Sequence, residues 1–187
     1  MSKSLWKPAL LGGVTLFVWS TISWTVLPWH NTTFNVFFDE DEVARVIGAN
    51  TPGGGVYLYP GDHHKPGMTP EEVKAATEAV MTKMAAGPFL FVSVSSAGMS
   101  SMVPATVKGF IFQILAALVL AMIVVRCGEP GYWERVTIVV LVVIAAGILC
   151  YIPSWNWFGF ATGYTLVMFA DLLISGLLAG LVIAKLA

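Results

Sequence analysis

Four long apolar stretches, separated by short polar breaks and one long polar insertion, organise the chain. Residues 9–27 read ALLGGVTLFVWSTISWTVL and carry no charge. Residues 107–125 have no charge after Lys108, residues 133–152 are apolar after Glu134 and Arg135, and residues 160–183 carry one charge, Asp171. Crossing a bilayer takes roughly 20 mostly apolar residues. Lipid offers no partners for free backbone groups, so each stretch is predicted to be a helix. The pattern predicts an α-helical membrane protein with four transmembrane helices. A small extracytoplasmic α/β domain is inserted between helices 1 and 2. The expected divisions are residues 1–29 (N-terminal tip and first helix), 30–105 (inserted domain) and 106–187 (three helices with short loops).

Inside the insertion the periodicity changes. FNVFF (34–38) reads as a short aromatic strand. DEDEVARVIGAN follows, with Asp39 placed to cap a helix and acids in its first turn, where the helix dipole favours them. NTPGGG (50–55) is a turn and VYLYP (56–60) a second strand. TPEEVKAATEAVMTKMAAG predicts a helix with a Thr69/Glu72 capping box, Pro70 at its first position and Gly87 at its end. PFLFVSVSS (88–96) reads as a third strand. The β-α-β-α-β order implies a sheet packed on its helices.

Composition supports the membrane reading. Of 187 residues, 57% are hydrophobic and 11% charged, with a mean hydropathy of +0.78. Soluble domains carry about 25% charged residues. The net charge of −1 and the absence of a basic patch argue against a nucleic-acid partner. Cys127 and Cys150 are too few for a disulfide scaffold, form no Cys-x-x-Cys pair, and read as buried or interfacial small residues.

Lys3 and Lys7 precede the first stretch, Arg126 and Arg135 flank the loop between stretches two and three, and Lys185 follows the fourth. The connection PSWNWFGF (153–160) has no positive charge. By the positive-inside rule both termini and the loop near residues 126–135 are cytoplasmic, and residues 30–105 lie outside. The first stretch is too long for a signal-peptide core and reads as a retained anchor. Trp24, Trp29, Trp155 and Trp157 are expected to form the outer interfacial aromatic belt. Pro28 ends the first helix, which makes His30 the first residue in water.

Candidate chemistry is sparse. His63 and His64, with Asp62 and Met68 close by, form the best metal candidate, and imidazole with thioether suits copper. His30, Met99 and Met102 could complete such a site; the alternative is a solvated loop. Asp171 is expensive in the middle of a span and is expected to face the bundle interior. Trp19 and Ser20 lie at similar depth, with Ser23, Gln113 and Ser175 nearby. Asp171 serves either proton or cation passage or a hydrogen-bonded lock between helices. Gly176 and Gly180, and Gly159 and Gly163, have the spacing that allows close helix approach, with Gly12 and Gly13 as facing candidates. The turn PGGGVY lacks the Gly-Lys-Ser/Thr ending of a phosphate loop, and Ser93, Ser95 and Ser96 show no nucleophile elbow.

The segments WSTISWTVLPWH (19–30), DEDEVARVIGANTPGGGVYLYP (39–60) and GPFLFVSVSSAG (87–98) together resemble a family of small uncharacterised bacterial inner-membrane proteins with four spans. The resemblance implies a multi-pass location in the bacterial cytoplasmic membrane and transfers no site residue. The expected function is a non-enzymatic accessory, assembly or structural subunit of a larger envelope complex, with no required cofactor. Its partners would be membrane lipid and other membrane-protein subunits, or further copies of itself. The alternatives are a small oligomeric transporter or channel using Asp171, and copper binding on the outer side.

Overall fold

A computed structural model describes residues 4–62, 64–98 and 101–187 and is mostly helical. In chain order the elements are α1 (Trp6–Thr25), a 3-10 turn (Asn31–Thr33), α2 (Glu40–Asn50), β1 (Gly55–Tyr59), α3 (Pro70–Ala86), β2 (Leu90–Val94), α4 (Met102–Arg126), α5 (Tyr132–Phe158) and α6 (Thr162–Leu186). Two compact units emerge. The first comprises Met1–Asn35, Ser100–Asn156 and Phe160–Ala187; the second comprises Val36–Met99 with Trp157–Gly159.

The first unit is a helix bundle. Among the described residues three helices, α4, α5 and α6, are long and apolar enough to cross a membrane, with mean hydropathies of 2.4, 2.7 and 2.4. At 20 residues α1 is long enough, but its Gly, Ser, Thr and Trp positions dilute the apolar run.

Small residues set how closely the helices approach. A Cβ on Gly13 would lie 2.6 Å from the Ile114 Cα of α4, so α1 and α4 meet almost backbone to backbone. Gly12 lies against Ile183 of α6 and Ala117 of α4. On α6, Gly176 and Gly180 receive Val143 and Val139 of α5. The core between them is built of Ala117, Ala121, Val124, Val139, Ala179 and Ile183, all nearly or fully buried. The Gly159/Gly163 pair does not behave as its spacing suggests. Gly159 sits outside the helices at φ +68°, and Gly163 has open space where a side chain would go.

Two further expectations for this unit change. The connection PSWNWFGF is helical for most of its length, because α5 runs through Pro153 to Phe158. A proline removes one backbone donor; here the Ser154 hydroxyl donates to the Cys150 carbonyl at 3.3 Å in the same turn. Cys127 and Cys150 are free and exposed on the chain, which removes the buried alternative for them and leaves the interfacial one.

The second unit holds α2, α3 and a two-stranded antiparallel sheet in which Gly55 faces Val94, Tyr57 faces Val92 and Tyr59 faces Leu90. Local chemistry accounts for its helices. Asp39 accepts from the Glu42 backbone N–H at 2.8 Å. Thr69 and Glu72 close a reciprocal capping box, with Gly87 at the far end of α3. The strand expected at FNVFF is absent. Residues 34–38 are irregular and join no strand ladder among the described residues, so the order is α-β-α-β. An aromatic run has the pattern of a strand, but a strand needs a ladder partner to satisfy its backbone. No residue of α2 or α3 is buried, and Val36 (83%), Phe37 (65%) and Val56 (64%) are largely exposed.

Candidate functional site

The site lies within the first unit, where the chain leaves α1. The helix closes with the Val26 and Leu27 N–H groups both donating to the Ile22 carbonyl. Beyond Pro28 the chain folds back. Thr32 N–H donates to the Pro28 carbonyl at 3.2 Å and Thr33 N–H to that of His30 at 3.0 Å. The Thr32 and Thr33 hydroxyls donate to the Trp29 and His30 carbonyls at 2.8 and 2.7 Å. This tight turn carries His30 inward, not out to water. Its imidazole is stacked on Trp24, and the residue is 1% exposed. The expectation that His30 is the first solvated residue is therefore overturned. Local hydroxyl–carbonyl bonds satisfy the turn's backbone, which makes burial of the ring affordable.

Around His30 a polar cluster links α1 to α6. Ser23 Oγ lies 2.9 Å from His30 Nε2 and is 0% exposed. Trp29 Nε1 donates to Ser23 Oγ at 3.0 Å, and Trp19 Nε1 donates to Asp171 Oδ1 at 2.6 Å. Asp171 Oδ2 stands 3.5 Å from His30 Nε2, beyond good hydrogen-bond range. The carboxylate is thus held by an indole N–H and faced by an imidazole, and among the described residues no lysine or arginine pairs with it.

Ser23, His30 and Asp171 have the composition of a hydrolytic triad but not its wiring. In a triad the serine and the carboxylate engage opposite ring nitrogens. Here both stand against Nε2, and the fully buried Ser23 Oγ has no approach for a substrate carbonyl.

Beside the cluster is a cavity of about 320 Å³, lined by Trp19, Ser20 and Trp24 of α1, Gln113 of α4, Tyr151 of α5, and Asp171 and Ser175 of α6, with apolar residues between them. Ser175 Oγ already donates to the Leu172 carbonyl at 2.9 Å. Gln113 Oε1 is buried and has no hydrogen-bond partner among the described residues. The other expected residues lie elsewhere. Trp155 Nε1 donates to Thr162 Oγ1 at 3.1 Å, and Trp157 is 73% exposed. Gly176 and Gly180 are taken up by α5.

His64 belongs to the second unit. Its Nδ1 pairs with Asp62 Oδ1, and its Nε2 faces Thr77 Oγ1 at 3.3 Å. The Met68 sulfur accepts from the Lys65 N–H at 3.1 Å. His63 and Met99 lie outside the described residues. Among the described residues no three His, Cys, Asp or Glu side chains gather to hold a metal ion.

Sequence reasoning named Asp171, Ser20 and Gln113 but did not join His30 to Asp171, and it missed Tyr151. One signal was present. Trp19 and Ser23, four residues apart, share a face of α1, and two polar-tipped residues on one face of an apolar helix call for polar partners. Compared with protein-family models, curated proteins and solved structures, the chain matches none.

Proposed function

We propose that the protein is a four-span inner-membrane accessory or assembly subunit that binds other membrane-protein subunits through its inserted domain. The observation that carries this reading is the uncovered apolar surface of the second unit. A groove of about 410 Å³ runs between α2 and the sheet, lined by Val46, Ile47, Tyr57, Leu58, Leu90 and Val92. Leu58 and Val46 are 42% and 43% exposed. A contiguous open apolar surface of this kind marks an interaction site, and a unit this small gains little stability from a core it does not close.

In this reading α1 is the fourth span. Its packing on α4 and α6 through Gly12 and Gly13 supports placing it at the same depth as those helices. The distribution of Lys and Arg supports cytoplasmic termini and an outer inserted domain. No catalytic step is assigned.

Gentle extraction into nanodiscs, followed by native mass spectrometry, tests the proposal. The expected particle holds a fixed number of other membrane-protein chains, and Val46→Asp with Leu58→Asp removes them while the bundle keeps its melting temperature. A particle of a single chain, or one whose composition ignores both substitutions, overturns it.

A further inference from the structure

We infer that the cavity between α1, α4, α5 and α6 binds a primary ammonium group. The cavity, of about 320 Å³, has the size of a small-molecule site, not of a bare-ion cage. Its polar lining holds a carboxyl group and no positively charged side chain. Asp171 supplies the carboxyl group of the lining, while the Gln113 amide and the Ser20 and Tyr151 hydroxyls add neutral groups that can accept. Asp171 is not fully engaged: Oδ1 takes the Trp19 proton at 2.6 Å, while Oδ2 has His30 Nε2 only at 3.5 Å. That nitrogen has its closer partner in Ser23. Oδ2 therefore keeps room for a charge-assisted hydrogen bond.

The walls add a second preference. Trp19 and Trp24 both line the cavity, and indole rings attract cations, most strongly where water is excluded. An anion would meet the carboxylate with no lysine or arginine in the lining to offset it. A neutral apolar molecule would leave Asp171 Oδ2 without a donor closer than His30 at 3.5 Å. A primary ammonium brings one positive charge and three N–H donors, which matches one carboxylate and the neighbouring neutral acceptors. The same group is carried by soluble amines and by aminophospholipid headgroups. The inference stands apart from partner binding, since it concerns a different unit of the chain.

The test uses the full chain in phosphatidylcholine nanodiscs, titrated with propylammonium chloride and followed by tryptophan fluorescence and calorimetry. Sodium chloride at equal ionic strength and tetramethylammonium, which has charge but no N–H, are the controls. Saturable propylammonium binding is expected, with tetramethylammonium weaker by about tenfold, as the loss of hydrogen bonds to charged groups implies. Asp171→Asn should weaken propylammonium about tenfold or more for the same reason. The amide still offers an oxygen to Trp19. Gln113→Leu removes a neutral polar group from the lining and should also weaken binding. The inference is overturned by a propylammonium response no different from sodium chloride. Equal affinity for tetramethylammonium, or parental affinity in both variants, also overturns it. Repeating the titration in phosphatidylethanolamine discs distinguishes the sources. A shift to higher propylammonium concentration identifies a lipid headgroup as the occupant, and an unchanged curve identifies a soluble amine.

Discussion

The rings of Trp24 and His30 lie face to face, with centroids 3.9 Å apart and planes 7° from parallel. Trp24 is on the last turns of α1, while His30 comes after the helix has ended. The stack therefore ties the exit of α1 back onto the helix and holds Nε2 against Ser23 and toward Asp171.

Replacing His30 with Ala removes that tie. It takes away the imidazole that fills the space over Ser23 and deletes the Ser23 contact at 2.9 Å. A loss of about 1–3 kcal/mol is expected for a buried polar residue of this kind. Near-UV circular dichroism should show a lower melting temperature and a changed tryptophan signal. A variant that melts with the parent would mean the turn is held by its hydroxyl–carbonyl bonds alone.

Trp19→Phe keeps a ring in place but removes the N–H that Asp171 Oδ1 accepts at 2.6 Å. A hydrogen bond to a charged group contributes about 1.5–3 kcal/mol. In a double-mutant cycle with Asp171→Asn the two effects should be less than additive, because they share one interaction. Strict additivity would remove this bond from the links between α1 and α6.

Gly13→Ala should be among the most damaging single-methyl additions in the bundle. The new Cβ would sit 2.6 Å from the Ile114 Cα, and backbone cannot swing aside as a side chain can. Overpacking typically costs about 1–3 kcal/mol. Gly163→Ala, where nothing lies within 4 Å, should be neutral or stabilising, since alanine exceeds glycine in helix propensity by about 1 kcal/mol. Thermal unfolding of the two variants side by side tests the contrast.

In the second unit, bonds from Thr69 to the Glu72 carboxylate hold its pKa below the usual 4.5, because they favour the charged form. The sign follows from linkage. A lowered native pKa gives stability that is fully present above the unfolded value and is lost as pH falls through the folded one. The start of α3 should therefore loosen only in acid, below about pH 4.5. The backbone N–H of residue 69, the larger cause, survives Thr69→Ala, so that variant should raise the Glu72 titration midpoint only in part, and Thr69→Pro, which removes the N–H, should raise it further, read by carboxyl NMR. A midpoint unmoved in both variants would break the link between the capping box and that titration.

Several elements were legible from the chain because their causes are local. The capping box of α3 and the Asp39 cap of α2 depend on residues three apart. The long apolar helices follow from the need of each backbone group for a partner within its own segment. The FNVFF run failed for the opposite reason. Strand formation depends on a second segment, and residues 34–38 have none among the described residues. The same holds for PSWNWFGF, where turn-forming residues misled because the helix of α5 continues past Pro153.

Apolar periodicity and composition alone are enough to assign the class of the molecule and to point to its costly residue. A carboxylate inside an apolar helix must find donors, whatever the fold. Which donors it finds depends on how the helices pack. Glycines let α1 close onto α4 and α6, and that approach brings Trp19 to Asp171 across 152 positions of chain. The turn after Pro28 then delivers His30 to the same carboxylate. No periodicity encodes those meetings, because they depend on the distance between helix axes and not on the order of residues along either one.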